Sequence, residues 1–120
     1  MAVFIGSVVL NVSDNGRASG FWGRALGYVP RSDNPDFLTP EGWSPPSRSL
    51  RDHAGGVHLH VDEQDRTHLD LWIEEGDNLE AEVERLVSLG ATRVLDWTYD
   101  EGADHVVLAD PDGNLFCVIP

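Results

Sequence analysis

The sequence predicts an α+β domain made of two βαβββ modules, and three observations carry that reading. A strand-like run from Ser7 (Ser-Val-Val-Leu-Asn-Val) reappears from His68 (His-Leu-Asp-Leu-Trp-Ile), each with period-2 alternation. Each run leads into a helical stretch that ends in Leu-Gly, at Leu26-Gly27 and again at Leu89-Gly90. Further strand candidates follow each helix, and the last of them opens on the tight-turn tetrapeptide Pro111-Asp112-Gly113-Asn114. A short insertion near Glu75-Gly76 brings the two copies into register.

The elements are expected in this order. The first strand around Ser7–Val12 is followed by a turn at Asp14, a possible N-cap, and a helix to Leu26. In that helix Gly16, Gly20 and Gly23 each cost up to about 1 kcal/mol of helix propensity. Its Ala18, Phe21, Trp22 and Ala25 are therefore expected to be held by packing on a sheet. Gly27 and Gly90 sit where a left-handed helix stop is wanted. In the first half, strands are expected at Gly27–Arg31 and Gly56–Asp62, with an uncertain segment between Phe37 and Leu50. Four prolines with Asn34 and Gly42 make Asp33–Pro46 read as a loop. Glu63–Thr67 is the polar joint between module one (about 1–63) and module two (about 64–120). In the second helix, Asp77 to Leu89, an apolar stripe of Leu79, Val83, Leu86 and Val87 faces the core while Glu80, Glu82, Glu84 and Arg85 stay wet. Thr92–Tyr99, Asp104–Ala109 and Leu115–Ile119 are the closing strands.

Composition bounds the function. The chain has 120 residues, 41% of them apolar, which suits one globular domain over 1–120. Its net charge is −13 and its pI about 4.4, a surface that repels phosphate backbones and anionic lipid; neither nucleic acid nor membrane is an expected partner. No apolar run reaches the length of a membrane span and no basic segment precedes Val3-Phe4-Ile5. One cysteine, Cys117, forms no internal disulfide, which fits a reducing cytoplasm.

These residues together resemble the vicinal oxygen chelate superfamily, which includes glyoxalase I, extradiol dioxygenases and bleomycin-resistance proteins. The resemblance rests on Val8-Val9-Leu10 with Asp14 and Phe21-Trp22, on His68-Leu69-Asp70-Leu71, and on Val106-Val107-Leu108-Ala109-Asp110-Pro111-Asp112-Gly113-Asn114 leading into Leu115-Phe116-Cys117. It implies two modules whose curved sheets pair around a cleft, in a homodimer. It also implies a divalent metal held from the first and last strands of each module, at positions that fall on Ser7, Leu59, His68 and Cys117. Only His68 keeps a strong ligand there and Cys117 a conditional one, whereas a useful site needs about three. The expectation is therefore a cleft that has lost its inherited metal site, with no cofactor. His58 and His60 share a strand face opposite Leu59, so they are expected to face away; His58, His60 and His68 are the fallback metal set, and His68 is the alternative ligand.

Alternation then names the lining. Ser7, Val9 and Asn11 point into the cleft, as do Leu59, His68, Asp70, Trp72 and Cys117, while Val8, Leu10, Leu69 and Leu71 pack beneath the helices. Four tryptophans differ in meaning. Trp22 matches the aromatic pair of the family's first helix and reads as core. Trp72 shares the face of Asp70. Trp43, with Phe37, lies in the Pro-rich loop as either a lid or a dimer contact. Trp97 and Tyr99 share one face of a strand, where either sheet packing or ligand contact suits them. A mostly apolar concavity with a few converging polar groups is the usual form of a small-molecule site. About 30 ligand atoms at about 0.3 kcal/mol each give sub-micromolar binding without a metal. The function expected is a metal-free binding protein that sequesters a hydrophobic aromatic natural product, in the manner of the bleomycin-resistance branch. The alternative is a glyoxalase-like lyase, isomerase or dioxygenase in which Asp70 or His68 acts as general acid or base. Cys117 reads as a packed thiol.

Overall fold

The computed structural model describes residues 3–43 and 56–120. The elements are β1 (Val3–Asn11), α1 (Asn15–Leu26), β2 (Tyr28–Arg31), β3 (Asn34–Pro40), β4 (His58–Asp62), β5 (His68–Ile73), α2 (Leu79–Ser88), β6 (Thr92–Arg93), β7 (Val106–Ala109) and β8 (Leu115–Ile119). All eight strands join one sheet in the order β2-β3-β4-β1-β5-β8-β7-β6. Each half is thus a βαβββ module, and the two meet at the antiparallel β1–β5 pair. β1 runs parallel to β4, and β5 runs parallel to β8 in the same way. The repeat seen in the sequence is therefore a repeat of topology, and the module sheets fuse edge to edge.

Both helices start and stop where local chemistry dictates. Asp14 Oδ1 accepts from the Arg17 amide at 2.9 Å, and Gly27 closes α1 in the left-handed region at φ 70°. Asn78 caps α2, its Oδ1 accepting from the Ala81 amide at 2.9 Å, with Glu80 and Glu82 in the favourable first turn. Leu79, Val83 and Leu86 pack on Ile73, Val106, Leu108, Phe116 and Val118. Two residues of α2 depart from the expected pattern. Val87 lies at the edge of the stripe and is exposed, while Glu82 is buried and bonded to Arg85 at 3.1 Å.

Helix α1 differs more. Ala18 and Trp22, one turn apart, are half-buried, but Phe21 is 61% exposed and Ala25 is exposed as well. Phe21 is turned about 100° from Trp22 and so points off the sheet-facing line, and Ala25 lies in the last turn of the helix. Phe21 instead meets Trp22 edge-on, with centroids 5.1 Å apart.

The Pro-rich segment does not stay a loop. β3 occupies Asn34–Pro40 between β2 and β4, with Leu38 wholly buried. Pro35 and Pro40 stand near its ends, where a missing amide is tolerated. The rest of the expected loop, 44–46, and the uncertain segment beyond it to Leu50 lie outside the described residues. In the second module the strand expected over Thr92–Tyr99 shrinks to Thr92–Arg93. Tyr99 makes up for part of the loss: its hydroxyl accepts the Val107 amide at 2.8 Å, a bond that a longer β6 would have made with backbone. The turn before β8 is built as its sequence suggests. Asp110 Oδ1 accepts from the amides of Asp112 and Asn114 at 3.0 and 2.8 Å, and Gly113 has φ 86°. Among the described residues no helix is long and apolar enough to cross a membrane.

Candidate functional site

Register decides which side chains share a face. His58, Ser7, Asp70, Cys117 and Val107 lie side by side across five strands. The next row holds Phe37, His60, Val9 and His68. On the other side come Phe4, Trp72 and Ile119. Phe4 and Ser7 reach one face although they are three residues apart, because Gly6 forms a bulge in β1. Leu38, Leu59, Val8, Leu69 and Phe116 make a row on the opposite face, which includes the α2 core.

A hydrogen-bonded chain runs through the middle of the site face. The Ser7 hydroxyl donates to Asp70 Oδ2 at 3.1 Å, and Asp70 Oδ1 lies 3.2 Å from His68 Nε2. His68 Nδ1 is 2.7 Å from the Arg66 carbonyl oxygen, which only accepts, so Nδ1 carries a proton. Ser7 and Asp70 are buried, and the His68 side chain keeps only 8% of its surface. The Asp70 carboxylate, with a further contribution from Cys117, pushes the His68 pKa up to about 11 against the opposing effect of burial. His60 behaves oppositely: burial holds its imidazole below the ordinary value despite nearby carboxylates.

Aromatic rings flank this chain. His60 stacks on Phe37 with centroids 4.0 Å apart and planes 12° from parallel. The Arg31 guanidinium covers Phe37 at 4.4 Å and lies 5.4 Å from the Trp43 ring. His58 stands edge-on to both Trp43 and Trp72, at 4.5 and 5.4 Å. Trp72 is buried and lies directly over Gly6. A model of the glyoxalase-like domain matches residues 7–119, nearly the whole of this arrangement.

The chain belongs to the glyoxalase-like domain family. With that it is a member of the vicinal oxygen chelate superfamily. A solved structure described as an NAD-dependent benzaldehyde dehydrogenase from Legionella pneumophila is similar over 93% of this chain and 95% of its own, with TM-score 0.59 and 13% identity. That likeness is one of fold. A glyoxalase-related enzyme from Fulvimarina pelagi aligns over 96% of this chain and 86% of its own, at 16% identity and TM-score 0.37. No curated protein matches the chain.

Within this glyoxalase-like frame, Ser7, Val9, His68, Asp70, Trp72 and Cys117 share one face, as alternation expects, and Phe37 and Trp43 border it. Leu59 does not. β4 pairs with β1 so that His58 stands beside Ser7, and a shift of one residue turns Leu59 to the other face and brings His58 and His60 in. The expectation that these histidines face away is thereby corrected. The alternation of apolar Val57, Leu59 and Val61 with polar His58, His60 and Asp62 carried that signal. Asn11 has the right parity, but it is exposed and its Nδ2 donates to the Asp65 carbonyl at 2.7 Å, tying down the joint between modules. Trp97 and Tyr99 share no strand face, because β6 ends at Arg93 and a turn bonds the Trp97 amide to Val94. Phe4, Gly6 and Arg31 complete the site and were not singled out from sequence, since only the bulge and the β3 register bring them there.

The metal positions implied by the family need the same revision. Leu59 faces away and the Ser7 hydroxyl is used on Asp70. Asp70 itself, however, joins His68 and Cys117, and the donor atoms of these three lie within 4.8 Å of one another. An imidazole, a carboxylate and a thiol make a chemically suitable set for a divalent ion, which would supply Lewis acidity at that point.

Proposed function

We propose that the site face binds a flat aromatic small molecule and holds it by stacking, so that the chain acts as a sequestering protein of the antibiotic-binding kind. One observation carries this reading: ring side chains and a mutually hydrogen-bonded polar chain occupy adjacent rows of one sheet face. Aromatic pairs add about 0.5–1.5 kcal/mol each beyond burial, and the Phe37–His60 stack offers such a surface beside His68. The net charge of −13 favours a cationic ligand. The same proposal has the chain working as a cytoplasmic homodimer.

A second reading, a glyoxalase-like lyase or isomerase, is favoured by the meeting of His68, Asp70 and Cys117. In it the protonated His68 ring, oriented by Asp70 and the Arg66 carbonyl, donates a proton to an oxygen of the substrate. One experiment separates the two. Tryptophan fluorescence is titrated with anthraquinones, enediynes and glycopeptides, and each compound is followed by mass spectrometry over hours. Saturable quenching with the compound unchanged supports sequestration; its conversion supports the enzyme. The sequestration reading fails if no compound quenches.

A further inference from the structure

We infer that the early end of β6 opens a second binding site, at the rim of the sheet between β7 and residues 94–105, for a small organic cation of the quaternary ammonium type. This goes beyond the aromatic-ligand reading and does not depend on it. Val107, which ends the site-face row beyond Cys117, is where the two regions meet. The site exists because a strand stops short. After Arg93 the chain leaves the sheet, and two groups complete the β7 edge: the Val94 amide donates to the Val107 carbonyl at 3.5 Å, and the Tyr99 hydroxyl accepts from the Val107 amide at 2.8 Å. A side chain thus stands where backbone would have closed the gap, and a cavity of about 440 Å³ remains beside it. Small-molecule sites span about 300–1,000 Å³.

The lining fits an apolar body. Val94, Leu95, Ala103, Val106 and Val107 contribute to the walls, and the rings of Tyr99 and His105 meet edge-on there with centroids 5.3 Å apart. Leu95 is 90% exposed and Tyr99 40%, so a seated apolar group removes their surface from water. Charge then selects the occupant. Asp104 lines the cavity, Asp96, Asp100 and Glu101 belong to the same segment, and residues 94–105 contain no Lys or Arg. The guanidinium of Arg93, the cation in the lining, is bonded to Glu80. An aromatic face beside carboxylates attracts a cation and repels an anion. A quaternary ammonium answers both features: its charge meets the Tyr99 ring and the carboxylates, while its methyl groups meet Leu95 and the valines. A second copy of the chain suits this rim poorly, because it brings a net charge of −13 to an acidic segment.

The test titrates isotope-labelled full-length protein with choline and, separately, with its neutral isostere 3,3-dimethylbutan-1-ol, followed by amide NMR shifts. Choline is expected to shift Leu95, Ala103, His105 and Val107 saturably, and the isostere to bind at least about threefold more weakly. Asp104→Asn, at an exposed position, should weaken choline about two- to threefold and leave the isostere unchanged. Tyr99→Leu should weaken choline about three- to fivefold, whereas Tyr99→Phe, which keeps the ring, should hold it within about twofold. Thermal midpoints identify any Tyr99 variant that fails to fold; the isostere comparison and Asp104→Asn then decide. Absence of saturable shifts with choline overturns the inference, as does equal affinity for the isostere. So do choline shifts confined to Phe37, His60 and His68, which belong to the site face. Titration with aromatic compounds reads that face instead, so the two proposals fail independently.

Discussion

Ser7 and Asp70, 63 residues apart, are joined by a buried hydrogen bond of 3.1 Å across the seam between the two modules. Each stands on the edge strand by which its module joins the other, β1 and β5, and the pair fixes Asp70 for everything the site face does. Replacing Ser7 by Ala leaves one lobe of a buried carboxylate without its donor. A loss of about 1–2 kcal/mol is expected in urea unfolding, with little change in slope.

Gly6 and Trp72 depend on each other sterically. A Cβ at position 6 would lie 2.2 Å from Trp72 Cγ. Gly6→Ala is therefore expected to cost about 1–3 kcal/mol by overpacking. A second substitution, Trp72→Leu, should recover part of that loss in a double-mutant cycle. Simple additivity would show that the crowding lies elsewhere.

The register of β4 is testable by pairing neighbours. Leu59→Ala should cost about 2 kcal/mol of stability and leave aromatic ligand affinity unchanged, because its side chain is on the opposite face. His60→Ala and Phe37→Ala should each weaken that ligand about three- to tenfold, the loss of one ring contact. The reverse pattern, measured by fluorescence titration and urea unfolding, would mean that Leu59 is the residue in the cleft.

A pH dependence follows from His68 in chelator-treated protein. Its pKa rises from 6.5 to about 11 on folding, with Asp70 the largest cause. The folded state therefore binds the proton more tightly than the unfolded chain. That stabilisation is complete below about pH 6.5 and is lost progressively as pH climbs toward 11. Urea midpoints should fall from pH 7 to 10 in the wild type, and the fall should be shallower in Asp70→Asn.

Much of this was legible in the chain because repetition and alternation are local signals. The doubled strand–helix–Leu-Gly pattern marked both modules, and Pro111–Asn114 marked the turn into β8. The strand positions implied by the family, extended by period-2 alternation, put Ser7, His68, Asp70 and Cys117 on one face. What escaped was set by tertiary pairing. β3 forms because Leu38 is buried between two strands, which outweighs a turn-like composition. Leu59 was placed by family motif, and one residue of register inverts a strand. Tyr99 leaves the sheet because its side chain, not its backbone, completes β7. Asp70 reads from sequence as an acid, a base or an orienting group; only the pairing of strands brings its carboxylate up to both His68 and Cys117.

Backbone and side-chain NMR shifts during titration with a cationic anthraquinone test the site face most directly. Shifts concentrated on Phe37, His60, His68 and the amides of β1 and β5, with α2 silent, are expected. Saturable shifts confined to the helices, or none at stoichiometric ligand, would contradict the assignment of this face as the binding surface.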